Sequence, residues 1–329
     1  MKKRITRYAG CLGNIKKSHQ HSGKMTQACF IETSKYEEEV EKKQKRRLNV
    51  SRVLELLGVS RTGYYSFQNK KPSERHLKKD ARMETIRSIH AQSHEIYGAP
   101  KIAAQMRKNG ECISDKTVGN YMREMNLKAC YAKHSTRTTV HSDFSQKLKN
   151  ILKEEFNPEE PNAVWCSDIT YIWTYTGFVY LTSIMDLYSR KIISWVISDT
   201  LETKYVVEAI EKAKRERKVE KPKIMHSDRG IQYTCNAYIE ATKNWNRSYS
   251  KKAYPWDNAC MESFHSLLKR EWLNRFRIID MEHAHKLVFE YINTFYNTVR
   301  IHSHCDYESP QEHEKKYLDK MEKQIKKVG

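Results

Sequence analysis

Two spacings of apolar residues divide the chain. Over residues 48–130 apolar positions recur with the period of a helix face. In "LNVSRVLELLGVSRTGYYSF", Val50, Val53, Leu54 and Leu57 share one face, Gly58 supplies a turn, and Ser60 can cap a second helix. That is helix-turn-helix grammar. It recurs in "YGAPKIAAQMRKNGECISDKTVGNYMREMNL", where Ile102, Ala103 and Met106 form a face, Gly110 interrupts it, and Ser114 opens a helix carrying Val118, Tyr121 and Met122.

From residue 163 the period shortens to that of strands. "AVWCSDITYIWT" alternates, Thr176-Gly177 makes a turn, and "FVYLTSIMDLYS" and "RKIISWVIS" follow as second and third strands. Short connections make these three antiparallel neighbours. "LETKYVVEAIEKAKRERK" predicts a helix with Val206, Val207, Ile210 and Ala213 inward. Residues 221–226 predict a fourth strand, reached through that helix and hence parallel to its neighbour. "TCNAYIEATKNW" and "DNACMESFHSLLKREWL" predict further helices. The order implies an α/β core with a mixed sheet over 163–315, preceded by an all-α helix-turn-helix region over 48–130.

The remaining segments lack such patterning. Residues 1–47 read as a basic, partly disordered segment, in which "SKYEEEVEKKQKRR" is a solvated helix. Residues 131–162 are polar, with Pro158 and Pro161 near the end, and read as a partly helical linker. Residues 316–329 read as a basic tail.

Charge narrows the partner. The net charge is +20, and Lys and Arg recur along nearly the whole length, which describes a broad polyanion-binding surface. Nucleic acid is favoured, because neutralising phosphates releases counterions; a basic protein with no dedicated partner is the plainer alternative. Lys101, Lys116 and Arg123, beside the second helix-turn-helix unit, favour DNA contact over a plain helical hairpin. No apolar run spans a bilayer, and the first residues lack the apolar core of a signal peptide. Eight cysteines without a CxxC pair weigh against zinc or a disulfide scaffold and fit a reducing cytoplasm.

Three acids stand out by position. Asp168 lies within the first strand, in an uncharged stretch where an acid costs desolvation. Asp228, in "MHSDRG", ends the fourth strand, where α/β sheets place ligand sites. Glu262 lies on a helix, on one face with Asn258, His265 and Lys269. If the first and fourth strands are adjacent, the two aspartates lie side by side with Glu262 facing them. Three oxygen ligands without clustered His or Cys suit Mg²⁺ or Mn²⁺. Two such ions about 4 Å apart would support phosphoryl transfer. Each acid alone also fits a plainer role: Asp228 as a turn cap, Asp168 paired with an arginine, Glu262 as a helix-surface acid. Asp186 and Asp199, at other strand ends, read as turn or structural residues.

The segments "WCSDITYIWTYTGFVYLTSIMDLYSRKIISWVIS", "HSDRGIQYT", "WDNACMESFHSLLKRE" and "YINTFYNTVRIHSHCDYESP" resemble, in order, the signatures of insertion-sequence transposases of the IS3 family. "IYGAPKIAAQMRKNG" resembles the helix-turn-helix block preceding the core there. The resemblance implies an RNase H-like core with a five-stranded mixed sheet and a DDE triad at Asp168, Asp228 and Glu262, holding two Mg²⁺ or Mn²⁺ ions. It puts Lys269 on a basic residue that contacts DNA near the active site; Asn258 and Arg229, beside triad residues, are read as further DNA contacts from their positions. It further implies a multimer acting on terminal inverted repeats and target DNA, in a bacterial cytoplasm at the nucleoid. An upstream reading frame supplies a partner with a leucine zipper, and no heptad zipper is visible here. The chain departs from the family in having 33 residues between Asp228 and Glu262, two fewer than usual, around "KNWNRSYSKK", where a Gly-containing turn and short strand are expected. His304-Cys305-Asp306 likewise replaces the usual Leu-Gly. A catalytically impaired DNA-binding regulator and another RNase H-like integrase or nuclease are the rival readings.

Overall fold

A computed structural model describes residues 30–31, 33–35, 37–38, 42, 49–69, 73–130, 148–251 and 255–328. Most of the predicted basic segment 1–47 and the first half of the predicted linker lie outside these residues. The chain divides into two compact units, 1–81 and 82–329.

In the first unit, helices α1 (Val50–Leu57) and α2 (Arg61–Gln68) form the first predicted helix-turn-helix pair. Asn49 caps α1 through the Arg52 amide, and Ser60 caps α2 through that of Gly63. Gly58 adopts φ 66°, the left-handed turn that lets its amide bond back to the Glu55 and Leu54 carbonyls. Phe30, Val50, Leu54 and Tyr64 form a small core, and the Tyr64 hydroxyl donates to Glu37 at 2.8 Å.

Helix α3 (Glu74–Gln92) runs through the 81/82 division, and α4 (Ala99–Lys108) and α5 (Asp115–Glu124) follow in the second unit. Gly110, with φ 89°, separates the last two, and Ser114 caps α5 through the Thr117 amide. The two helix-turn-helix pairs, read from the sequence as one region, therefore fall in different units. Ile102, Ala103, Met106, Val118 and Met122 bury into the same apolar cluster as Val164, Leu181, Phe264 and Phe295, so the second pair shares a core with the sheet.

That sheet has five strands in the order β3-β2-β1-β4-β5: β1 (Val164–Thr174), β2 (Gly177–Asp186), β3 (Lys191–Ser198), β4 (Ile224–Ser227) and β5 (Arg247–Tyr249). β1–β2 and β2–β3 are antiparallel; β1–β4 and β4–β5 are parallel. The mixed sheet is the predicted one. β5 is the short strand that the family resemblance places near "KNWNRSYSKK"; the shorter spacing has not removed it. One face carries α6 (Thr203–Arg217), α7 (Ile231–Thr234) and α8 (Asn236–Ala241), packed through Val206, Ile210 and Tyr238. The other carries α9 (Ala259–Glu271) and α10 (Met281–Phe289), which continues as a π-helix over Glu290–Tyr296.

Two segments differ from the sequence reading. Residues 148–162 contain no helix; they run as an arm along β5, where the Ser248 hydroxyl accepts from the Ile151 and Leu152 amides at 2.9 Å. The predicted tail 316–329 belongs to α11 (Pro310–Val328), anchored by Glu314 against Arg217, Lys191 and Ser189. Asp186 is structural, as expected: it is fully buried and bonded by Arg217 and by the Asn162 amide.

Candidate active site

Backbone register builds the centre of the site. Ser167 of β1 stands opposite Ser227 of β4 in the last pair of a parallel ladder, so the residues that follow, Asp168 within β1 and Asp228 just past the end of β4, start from neighbouring backbone positions. Asp168 is pinned twice. Its Oδ1 accepts from the Ile169 amide at 2.9 Å, and its Oδ2 lies 3.5 Å from His265 Nδ1. The other His265 nitrogen is 2.9 Å from Ser183 Oγ, and Ser183 is the residue opposite Asp168 on β2. His265 thus ties α9 to both central strands.

Asp228 follows the last residue of β4, and its Oδ1 accepts from the Gly230 amide at 2.9 Å. The turn-cap role and the site position coexist. Gly230 is needed for the approach, since a Cβ there would sit 3.0 Å from that same carboxylate oxygen. Tyr233 buttresses the pair from below: its hydroxyl is 2.9 Å from Ser167 Oγ, and burial, then the charges of Asp168 and Asp228, push it well above the usual phenol value.

Glu262 sits in the first turn of α9, which is held down by Met261, Phe264 and Leu268. Its carboxyl is raised above the ordinary value by partial desolvation and then by the negative charge of Asp168, while His265 opposes the shift. Glu262 and Asp168 therefore feel each other. Lys269, two turns on, is lowered by partial burial against the opposing pull of Asp168, and its ammonium lies 4.4 Å from the Tyr171 ring centroid. Among the described residues, no three His, Cys, Asp or Glu side chains stand close enough to share an ion.

The other predicted contacts fare differently. Lys116 and Arg123 are exposed on α5, as a phosphate contact requires. Lys101 is drawn inward: its ammonium covers the Tyr97 ring at 5.0 Å, and burial followed by repulsion from Arg300 lowers it to about 7. Arg229 donates to the carbonyls of Ser250 at 2.7 Å and Leu148 at 3.3 Å, so it fastens the arm. Asn258 is buried at the start of α9, and its Oδ1 has no hydrogen-bond partner among the described residues. Sequence reasoning placed His265 on the Glu262 face but gave it no task; Ser183 and Tyr233 carried no local signal at all.

The integrase core domain family matches residues 158–251 and again 243–310, and an HTH-like domain family matches 78–134. The transposase of insertion sequence IS904 from Lactococcus lactis is 33% identical over 249 residues, 75% of this chain and 98% of that protein. Transposase InsF of IS3A from Escherichia coli is 31% identical over 281 residues, 84% of this chain and 97% of its own length. The chain belongs to the IS3 family of insertion-sequence transposases. A protein of insertion element IS600 from Shigella sonnei is 32% identical over 80% of the transposase chain and 97% of its own. Among solved structures, the HTLV-2 integrase catalytic core in complex with magnesium aligns over 47% of the transposase and 98% of that chain, at 14% identity and a TM-score of 0.37. The transposase is thus a DNA-acting polynucleotidyl transferase of the DDE type, with an integrase core and an HTH-like domain. No helix among the described residues is long and apolar enough to cross a membrane.

Proposed function

We propose that Asp168, Asp228 and Glu262 carry the phosphoryl-transfer chemistry of this transposase at the ends of its element. The observation behind this is the Ser167–Ser227 register, which starts both aspartates from neighbouring positions on adjacent strands with Glu262 within electrostatic range of Asp168. The donor set is all oxygen, the chemistry that suits Mg²⁺ or Mn²⁺, and a hard divalent cation would relieve the repulsion between Glu262 and Asp168; two ions per site would draw the three carboxylates closer than they stand here. When bound, such ions polarise the phosphodiester and favour ionisation of the attacking hydroxyl.

The protein's own groups do the positioning. His265 holds Asp168 through the Ser183 bridge, and the Gly230 amide fixes Asp228. In cleavage a water oxygen attacks phosphorus, the bond to the 3′ oxygen breaks, and a free 3′-OH is left. In strand transfer that 3′-OH attacks a second phosphodiester, exchanging one P–O bond for another. No protein–DNA covalent bond is needed.

Lys269 lies beside the carboxylates and is assigned to the nearest phosphate, with Asn258 at the start of the same helix behind it. Lys116 and Arg123 are assigned to the duplex backbone on the terminal inverted repeats. Two ends must be handled together, which calls for a homo-multimer, with an upstream-frame protein as a further partner. The setting is the bacterial cytoplasm, on the nucleoid. The test is Mg²⁺-dependent cutting of an oligonucleotide carrying the element's terminal repeat. Asp228→Asn is expected to bind like the parent and not to cut; cutting at the parental rate would refute the assignment.

A further inference from the structure

Past Ser167, β1 has no β4 partner, so the strand overhangs the carboxylates with one open edge. On this overhang the β1–β2 hairpin shows Tyr171, Trp173, Tyr175 and Phe178 to solvent, with Trp173 63% exposed and Tyr171 54%. Their arrangement is ordered. The Trp173 and Phe178 ring centroids are 4.8 Å apart at 72°, and those of Tyr171 and Phe178 5.5 Å apart at 86°. The hairpin tip is pinned as well, since the Tyr175 and Thr176 amides donate to the Ile278 and Ile279 carbonyls.

Strand alternation puts Tyr171 and Trp173 on the opposite face from Asp168, and Lys269 crosses the open edge between them, ammonium on the Tyr171 ring. Along β1, Tyr171 is about 10 Å and Trp173 about 17 Å from Asp168. An ammonium next to exposed aromatic rings, one or two nucleotides from the carboxylates, matches a strand whose bases are unpaired. A duplex hides its base faces. The geometry points to the Tyr171–Trp173–Phe178 surface as a stacking platform for unpaired nucleotides of a DNA end leaving the active site, with Lys269 on the intervening phosphate. This inference rests on the reading of Asp168 as part of that site.

Stacking tolerates any base, so the probe need not carry the element's sequence. In metal-free buffer, where nothing is cut, fluorescence anisotropy would compare a mixed-sequence duplex bearing a short unpaired oligothymidine 3′ tail with the blunt duplex. The parent is expected to prefer the tailed probe, and Trp173→Ala to lose about tenfold on that probe alone. Trp173→Phe should keep most of the preference, and Asp228→Asn all of it. The last variant separates the two readings: if it cuts in a separate assay with Mg²⁺, the carboxylate assignment fails while the tail preference stands. An unchanged preference in Trp173→Ala overturns the platform. So does a change in the sedimentation of the DNA-free Trp173→Ala protein, which would make this face a contact between copies of the chain.

Discussion

Replacing Arg300 with methionine should cost the second unit about 3–5 kcal/mol, the range for breaking one side of a buried ion pair. Arg300 and Glu271 are 4% and 5% exposed. The guanidinium donates from Nε and Nη2 to the two carboxylate oxygens at 2.8 and 2.7 Å, and the Tyr291 hydroxyl adds a third bond at 2.7 Å. Burial alone would lift the Glu271 carboxyl, but the Arg300 bonds outweigh it and hold it below its ordinary value. Its stabilisation is therefore fully present above the unfolded value of about 4.3 and fades as pH falls through the lower folded value. In Arg300→Met only the Tyr291 bond and the Lys101 charge still oppose the burial cost, and the folded value should rise above the unfolded one. The deficit should then be larger at neutral pH than at pH near 5. Lys101, near this cluster, can offset part of it by holding its proton more firmly. Urea unfolding followed by tryptophan fluorescence reads this directly, because Trp272 adjoins Glu271. Adding Glu271→Gln should recover most of the loss, since two neutral groups no longer strand a charge. A deficit under about 1 kcal/mol, or one equal at both pH values, would refute the reasoning.

Further outcomes follow from other sites. Gly58→Ala forces a Cβ into φ 66°, and should lower the stability of the first unit by about 1–2 kcal/mol, read as a drop in the thermal midpoint of that unit's unfolding. Gly230→Ala crowds the Asp228 carboxylate and should reduce cutting far more than it reduces stability, as single-turnover cleavage beside a thermal melt would show. Lys116→Ala should weaken duplex binding and lower the slope of log affinity against log salt by about 1; an unchanged slope removes Lys116 from the phosphate contacts. Ending the chain after Ser309 removes Glu314 and leaves Arg217 with Asp186, so the core should unfold at clearly lower urea than the full chain.

The sheet was legible where local pattern and tertiary demand coincide. β1 alternates and turns at Thr176-Gly177, and Gly177 does take φ 127°, so the hairpin and Asp168's place in it follow from nearby residues. The first and fourth strands do lie side by side, as the site reading supposed, in parallel as the helical connection into β4 implied. β5 is different: Arg247–Tyr249 is three residues with little strand character, and it exists because β4 pairs on one side and the arm's Lys149 carbonyl accepts the Tyr249 amide on the other. α11 looked like a tail because its partner Arg217 lies nearly a hundred positions earlier in the sequence. The part Arg229 plays in fastening the arm was hidden for a similar reason, its acceptors being carbonyls at Leu148 and Ser250. Charge alone cannot distinguish an arginine that meets phosphate from one that staples a backbone.

The anchoring of α9 changes what the distance between Asp228 and Glu262 along the chain can mean. Asp168 is held through His265 to Ser183, so the helix takes its position from β1 and β2, not from the connection that leads into it. Residue count between the second and third carboxylates is then a poor ruler. The connecting segment has to reach, and in this chain it does so while still supplying β5 to β4. The placing of Glu262 then falls to His265 and Ser183, two residues that no count along the chain would have singled out.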